Sequence, residues 1–319
     1  MHRTTVAELL YMPNDEAHRF LPEGPTALGQ GVFSWVAIQH GADASIGSLN
    51  IFDVASGENN SWELPGRPGF AKPTSKPGVF VVGCERSLGL FDTSDSSWEV
   101  LVDGVDGDVD GTIINDGTLY GDSVVFGTKD LEFATPKAGL YLFRMSDRKL
   151  IKLSGGQVCS NGKDVIDNAG GGLDLIDIDS PTKKVVRYGL DLAAGTLSTP
   201  ETLIDLADLP GVPDGMVVTP DEQSAIISFY NPNEAPHGET RQYSLHDGSL
   251  EQVWQTPGSP QNTCPLLLEI PGKGVQLVIT TAVEHMPAER REGAPAAGGL
   301  FVADTIFKTS PSTPVLRIG

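Results

Sequence analysis

Four short segments place an oxygen-bearing side chain beside glycine at the edge of an apolar run. They are "LPEGPTAL" with Glu23, "TIINDG" with Asn115 and Asp116, "VCSNGKDV" with Asn161, and "GVPDGMVV" with Asp214. Taken singly, each reads as turn chemistry. Pro presets φ, Asn and Asp bond their own backbone, and Gly supplies positive φ. Taken together they offer carboxylate and amide oxygens, which suit hard or borderline cations such as Ca2+, Mg2+ or Mn2+. A bound divalent cation would polarise a carbonyl and activate water. The question is whether the fold brings these residues to one point.

Other chemistries are excluded by spacing. The stretch "DGDVDG", Asp106 to Gly111, starts like an EF-hand loop, but its twelfth position is Gly117 where a Glu is required. The six histidines show no HExxH and no paired spacing. There is no GxSxG elbow, no Walker A motif and no GxGxxG. Cys84, Cys159 and Cys264 lie far apart, with no CxxC, so neither a zinc ribbon nor a disulfide framework is implied. Cys159 reads as a buried small thiol rather than a nucleophile.

The elements that must position the four motifs are strands. Helical periodicity is nearly absent; the best candidate, "VAELLYM" (6–12), is too short. Strand-like runs such as "GVFSWVAI", "GVFVVG" and "AIISFY" are bounded by turn residues. A strand with an aromatic or large apolar centre recurs: "SLNIFD", "LGLFD", "GLYLF", "VVRYGLD", "TRQYSL" and "GLFVAD". Neighbouring copies lie roughly 40–60 residues apart, the period of a propeller blade. Six copies predict an all-β, six-bladed β-propeller over residues 1–319, one domain with no linker. A β-sandwich with coincidental repeats is the competing reading. The segment "HRTTVAELLY" is expected to give the last blade its outer strand, since closure removes exposed edges. In a propeller the equivalent strand ends converge on a central channel, so the four motifs, in four blades, would become neighbours there.

The net charge of −20 argues against nucleic acid and against anionic membrane surfaces. No apolar run approaches the ~20 residues that span a bilayer, and "MHRTTVAELLYMPND" has no leader-like apolar core. The expected location is cytoplasmic, and the expected state a monomer or homodimer.

In order and spacing, "LPEGPTAL", "TIINDG" with "VVFGTKDLE", "VCSNGKDVIDNA", "GVPDGMVV" and "NTCPLLLE…VITTA" resemble the gluconolactonase/regucalcin (senescence marker protein) family of six-bladed propellers, which includes luciferin-regenerating enzymes. The resemblance implies one divalent metal, Ca2+ ahead of Zn2+, Mn2+, Mg2+ or Fe2+, in a central channel, held by Glu23, Asn161 and Asp214. It makes Asp214 the general base. It puts Asn115 against substrate or metal, and Glu132, with Asp130 as the alternative, against substrate hydroxyls. The implied activity is hydrolysis of a small lactone or ester. Sugar-lactone members often carry Arg two residues before the "NDG" Asn; here that residue is Ile113, which points to a less polar lactone or ester. Lys129 falls where the family varies and reads as a solvated loop lysine. A phosphotriesterase-like hydrolase and a non-catalytic, ligand- or protein-binding propeller are the alternatives.

Overall fold

The computed structural model describes residues 2–318. They form two compact units, 2–67 with 208–313, and 68–207 with 314–318. Each unit contains three sheets of four or five strands, antiparallel except for one added edge strand. These six blades make the chain an all-β, six-bladed β-propeller.

Each blade is a meander that starts with a first strand: Pro22–Gly29, Pro68–Pro73, Thr112–Tyr120, Ser160–Asp167, Val212–Val218 and Asn262–Ile270. The recurring aromatic segments are the third strands. They are Ser48–Asp53, Ser87–Asp92, Ala138–Arg144, Lys184–Asp191, His237–Ser244 and Leu300–Asp304. Their large side chains recur because neighbouring blades pack face to face. Phe33, Trp35 and Phe52 of blade 1 meet Leu268, Val278 and Leu300 of blade 6. Ile226 and Trp254 of blade 5 meet Leu277 and Phe301 on that sheet's other face. In the second unit, Phe70, Val81 and Leu88 of blade 2 pack on Ile114, Phe126 and Phe143 of blade 3. Val125, Leu140 and Leu142 continue into Val165, Leu175 and Leu190 of blade 4. Burying one such side chain is worth about 1.5–3 kcal/mol.

The N-terminal segment is strand, as its expected role requires, so its short helix-like pattern is overridden. Glu8–Tyr11 pairs antiparallel with Leu300–Asp304 as the outer strand of blade 6. Arg3–Val6 adds an unanticipated parallel fifth strand to blade 5, with Arg3 opposite Gln252. Unsatisfied edge groups outweigh a weak helical propensity here. At the other end, Leu316 is fully buried and bridges Thr74 in blade 2. The only α-helices among the described residues are single turns, Glu16–Arg19 and Ala288–Arg291, and no helix is long and apolar enough to cross a membrane.

Candidate functional site

The four motifs are not turns. Each lies inside the first strand of its blade, at a slip in pairing register. In blade 1, Glu23 opposes Val36 and Thr26 opposes Ser34, so Gly24 and Pro25 face the single residue Trp35. In blade 3, Asn115 and Asp116 bulge opposite Gly127. In blade 4, Gly162 is the extra residue between Asn161 and Lys163. In blade 5, Asp214 and Gly215 bulge opposite Ser228. A bulge bends a strand and re-aims a side chain that regular pleating would fix. The first strands of blades 2 and 6 slip at equivalent places, around Gly69 and at Thr263–Cys264.

The motif glycines are also there for a different reason than turn chemistry predicts. Of Gly24, Gly117, Gly162 and Gly215, only Gly24 takes positive φ, +55°. At Gly215 the requirement is space: a Cβ there would lie 2.4 Å from Cys264 Sγ. At Gly117 it would lie 2.5 Å from the Phe70 ring. Glycine lets first strands of neighbouring blades approach more closely than any side chain permits.

In the unit containing blades 1, 5 and 6, Glu23 and Asp214 sit on first strands that both pack against the first strand of blade 6. Both residues are nearly buried, 8 % and 9 % exposed. The Glu23 Oε2 accepts from Gly24 N at 2.5 Å. The chain leading into it is pinned: Pro22 O accepts from Thr263 Oγ1 at 2.6 Å, and Phe20 O accepts from the amides of Val283 and Glu284. Tyr230 stands near Asp214. Its hydroxyl donates to Glu284 O at 2.6 Å, and its pKa is pushed far up, first by burial and then by the Glu284 and Asp214 carboxylates.

In the other unit, Asn115 and Asn161 are joined. Asn115 Nδ2 donates to Asn161 Oδ1 at 2.9 Å and to Ser160 O at 2.8 Å. Asn161 Nδ2 donates to Ser180 Oγ at 2.9 Å, with Cys159 Sγ at 3.5 Å. These bonds fix which way each amide faces. The Asn161 oxygen keeps one lone pair, and the Asn115 oxygen is left as an acceptor.

The Glu132 carboxylate is exposed on the loop after strand Ser123–Asp130. Its alternative, Asp130, is buried and already committed. It accepts from the amides of Glu132, Ala134 and Thr135 and pairs with Lys137 at 2.9 Å. Burial alone would raise its pKa; Lys137 and those amides hold it well below the usual carboxylate range. Ile113 is buried, and Lys129 is not in a loop but opposite it on that strand. The acidic loop from Asp106 is wired by Arg86, which donates to Asp106 O at 2.8 Å, and by Tyr141, which donates to the buried Asp106 carboxylate.

Sequence reasoning did not find the charged pair beside Asn161. Lys163 and Asp177 face each other across blade 4, both side chains fully buried, with Nζ 3.9 Å from Asp177 Oδ1. Burial pushes Asp177 up to about 6, against the Lys163 charge and a 2.6 Å bond from Gln157 Nε2. The available signal was an aspartate between isoleucines in a middle strand, where both faces are covered.

Residues 21–283 match the family described as the SMP-30/Gluconolactonase/LRE-like region. The chain belongs to this family. "Putative sugar lactone lactonase YvrE" of Bacillus subtilis is 28 % identical over 179 residues. That stretch is 56 % of each protein, so the chain spans little more than half the length of the curated relative it matches. A calcium-binding protein, regucalcin, from Agrobacterium tumefaciens superposes with a TM-score of 0.81 over 100 % of both chains at 21 % identity. A luciferin-regenerating enzyme does so at 0.78, 18 % identity, over 98 % of this chain and 99 % of its own. At these identities the SMP-30/gluconolactonase-like structures establish the fold.

Proposed function

We propose that the protein is a metal-dependent lactonase. The observation that carries this is the placement of Glu23, Asn115, Asn161 and Asp214. Each is nearly buried and sits at the register slip of a first strand, in four different blades. Membership of a gluconolactonase-like family and the names of its relatives support the same reading.

The donor chemistry fits one divalent cation held by Glu23, Asn161 and Asp214. Two carboxylates neutralise its charge, and the Asn161 amide, locked by Ser180, offers a neutral oxygen. Two carboxylates alone fall short of the oxygen ligands such an ion takes, and the amide oxygen adds to them. Ca2+ is the preferred ion, the one named for the Agrobacterium protein. When bound, such a cation polarises a lactone carbonyl and lowers the pKa of nearby water.

The chain's own residues do the rest. Asp214 takes a proton from the water that attacks the carbonyl carbon, and returns it to the ring oxygen as the C–O bond breaks, leaving a hydroxy acid. Asn115 accepts a hydrogen bond from the substrate through Oδ1, and Glu132 receives substrate hydroxyls at the rim. Ile113 supplies no charge where sugar-lactone relatives carry Arg, which favours a lactone of low polarity.

The test is turnover of aliphatic lactones, aldonolactones and phosphotriesters, with EDTA and then Ca2+, Zn2+, Mn2+ or Mg2+ restored. Lactone hydrolysis should vanish with EDTA and return with metal. Asp214→Ala should cost at least about 100-fold in kcat and weaken metal binding. EDTA-resistant hydrolysis, turnover of phosphotriesters alone, or full activity in the Asp214 variant would each overturn the assignment.

A further inference from the structure

We infer that Lys163 is a positioning residue for the Asn115–Asn161 amide pair; this rests on the lactonase reading for what the pair is for. A fully buried lysine side chain needs a reason, because removing its charge from water costs several kcal/mol. Its Nζ is not aimed at a cavity. It donates to Asn161 O and lies 3.9 Å from Asp116 Oδ2 and 3.9 Å from Asp177 Oδ1. Asn161 is the residue at the slip in blade 4, and Asp116 is half of the bulge in blade 3.

One ammonium therefore grips the backbone beside one amide and the carboxylate adjacent to the other. The amides themselves meet at 2.9 Å across the same two strands. Bulges lack the ladder hydrogen bonds that fix regular strands, so their conformation must be set by other contacts. Lys163 supplies that contact on both strands at once. Asp177, held by Gln157 at 2.6 Å, supplies the countercharge that keeps the ammonium in place. Because Nζ is enclosed and already bonded, Lys163 acts through the two asparagines and not on a substrate.

A purely structural ion pair would look similar, and the double variant Lys163→Met/Asp177→Asn separates the two. It removes both charges at nearly constant shape, and buried pairs replaced by neutral groups commonly keep stability. The first readout is hydrogen exchange of the Asn115 side-chain amide by NMR with asparagine labelling, in metal-free protein. The second is Ca2+ affinity by calorimetry. Positioning predicts unfolding within a few degrees of wild type, faster exchange of the Asn115 amide, and Ca2+ affinity lower by about 10-fold or more. Wild-type exchange and wild-type affinity in the double variant would overturn the inference. If wild-type protein binds no Ca2+ and opens no lactone, the lactonase reading fails. The exchange measurement still decides whether Lys163 holds the pair.

Discussion

Gly215→Ala tests the claim that the "PDG" glycine exists for close approach and not for a turn. Placed on the backbone as it stands, the new Cβ lies 2.4 Å from Cys264 Sγ, 2.6 Å from Cys264 Cβ and 2.8 Å from Cys264 Cα. Carbon–carbon separation is comfortable near 3.5–4.0 Å, so the first strands of blades 5 and 6 must separate locally by about 1 Å. Overpacking of this kind costs about 1–3 kcal/mol. Cys264→Ala should rescue only part of the loss, because it removes Sγ alone and leaves the rest of that residue in the way. Gly57 is the control. Its φ is +73° with nothing within 4 Å of an added Cβ, so Gly57→Ala pays only backbone strain of about 1–2 kcal/mol. The distinguishing readout is metal affinity. Separating these strands displaces Asp214, whereas Gly57 touches no proposed ligand. Urea unfolding gives the stability and calorimetry with Ca2+ gives the affinity. If Gly215→Ala matches wild type in both, or if Gly57→Ala weakens Ca2+ binding equally, the packing argument is wrong.

Two further perturbations probe the amide pair and its charged neighbours. Ser180→Ala removes the 2.9 Å acceptor of Asn161 Nδ2. It should cost about 1–2 kcal/mol of stability and, by freeing the amide, about 10-fold in Ca2+ affinity; unchanged affinity by calorimetry would show that Asn161 is not held through Ser180. For Asp177, burial raises the folded pKa to about 6 from 3.8. The native state thus keeps a proton that the unfolded chain has lost, and stability falls as pH rises through this window. The displacement is worth about 3 kcal/mol. The stability of Asp177→Asn relative to wild type should therefore rise by about 2 kcal/mol between pH 4 and 7 in urea unfolding, whatever the variant loses by leaving Lys163 without its countercharge, and a pH-independent difference would sink the assignment.

The fold was legible because the aromatic third strands repeat. Phe52, Phe143 and Phe301 are buried between neighbouring blades, so the pattern in the sequence is the packing itself. The outer strand from residues 8–11 was legible for a related reason: six blades leave one sheet short of a strand. The motif positions were readable as residue types but not as geometry. Glycine next to Asn, Asp or Pro signals a turn by local rules, and those rules are right about backbone freedom at Gly24, where φ is +55°. They miss Gly215, whose constraint is Cys264, 49 residues away in the chain and invisible to any local window.

A bulge also explains why Lys163 escaped notice. Strand reasoning assigns side chains to faces by a period of two. An unpaired residue resets that count, and Gly162 is unpaired between Asn161 and Lys163. Downstream of such a slip, alternation no longer says which residues are enclosed, and a lysine two positions after an asparagine reads as solvated. The same resets are what allow a propeller to aim polar groups from otherwise apolar first strands. A strand of unbroken alternation would have to choose between burying Asn161 with the core and facing it to solvent. With the slip, Asn161 stays 8 % exposed, keeps its amide hydrogen bonds, and leaves an oxygen free of core packing. The irregularity that hid Lys163 from sequence reasoning is therefore the feature that lets these strands enclose a polar group such as Asn161.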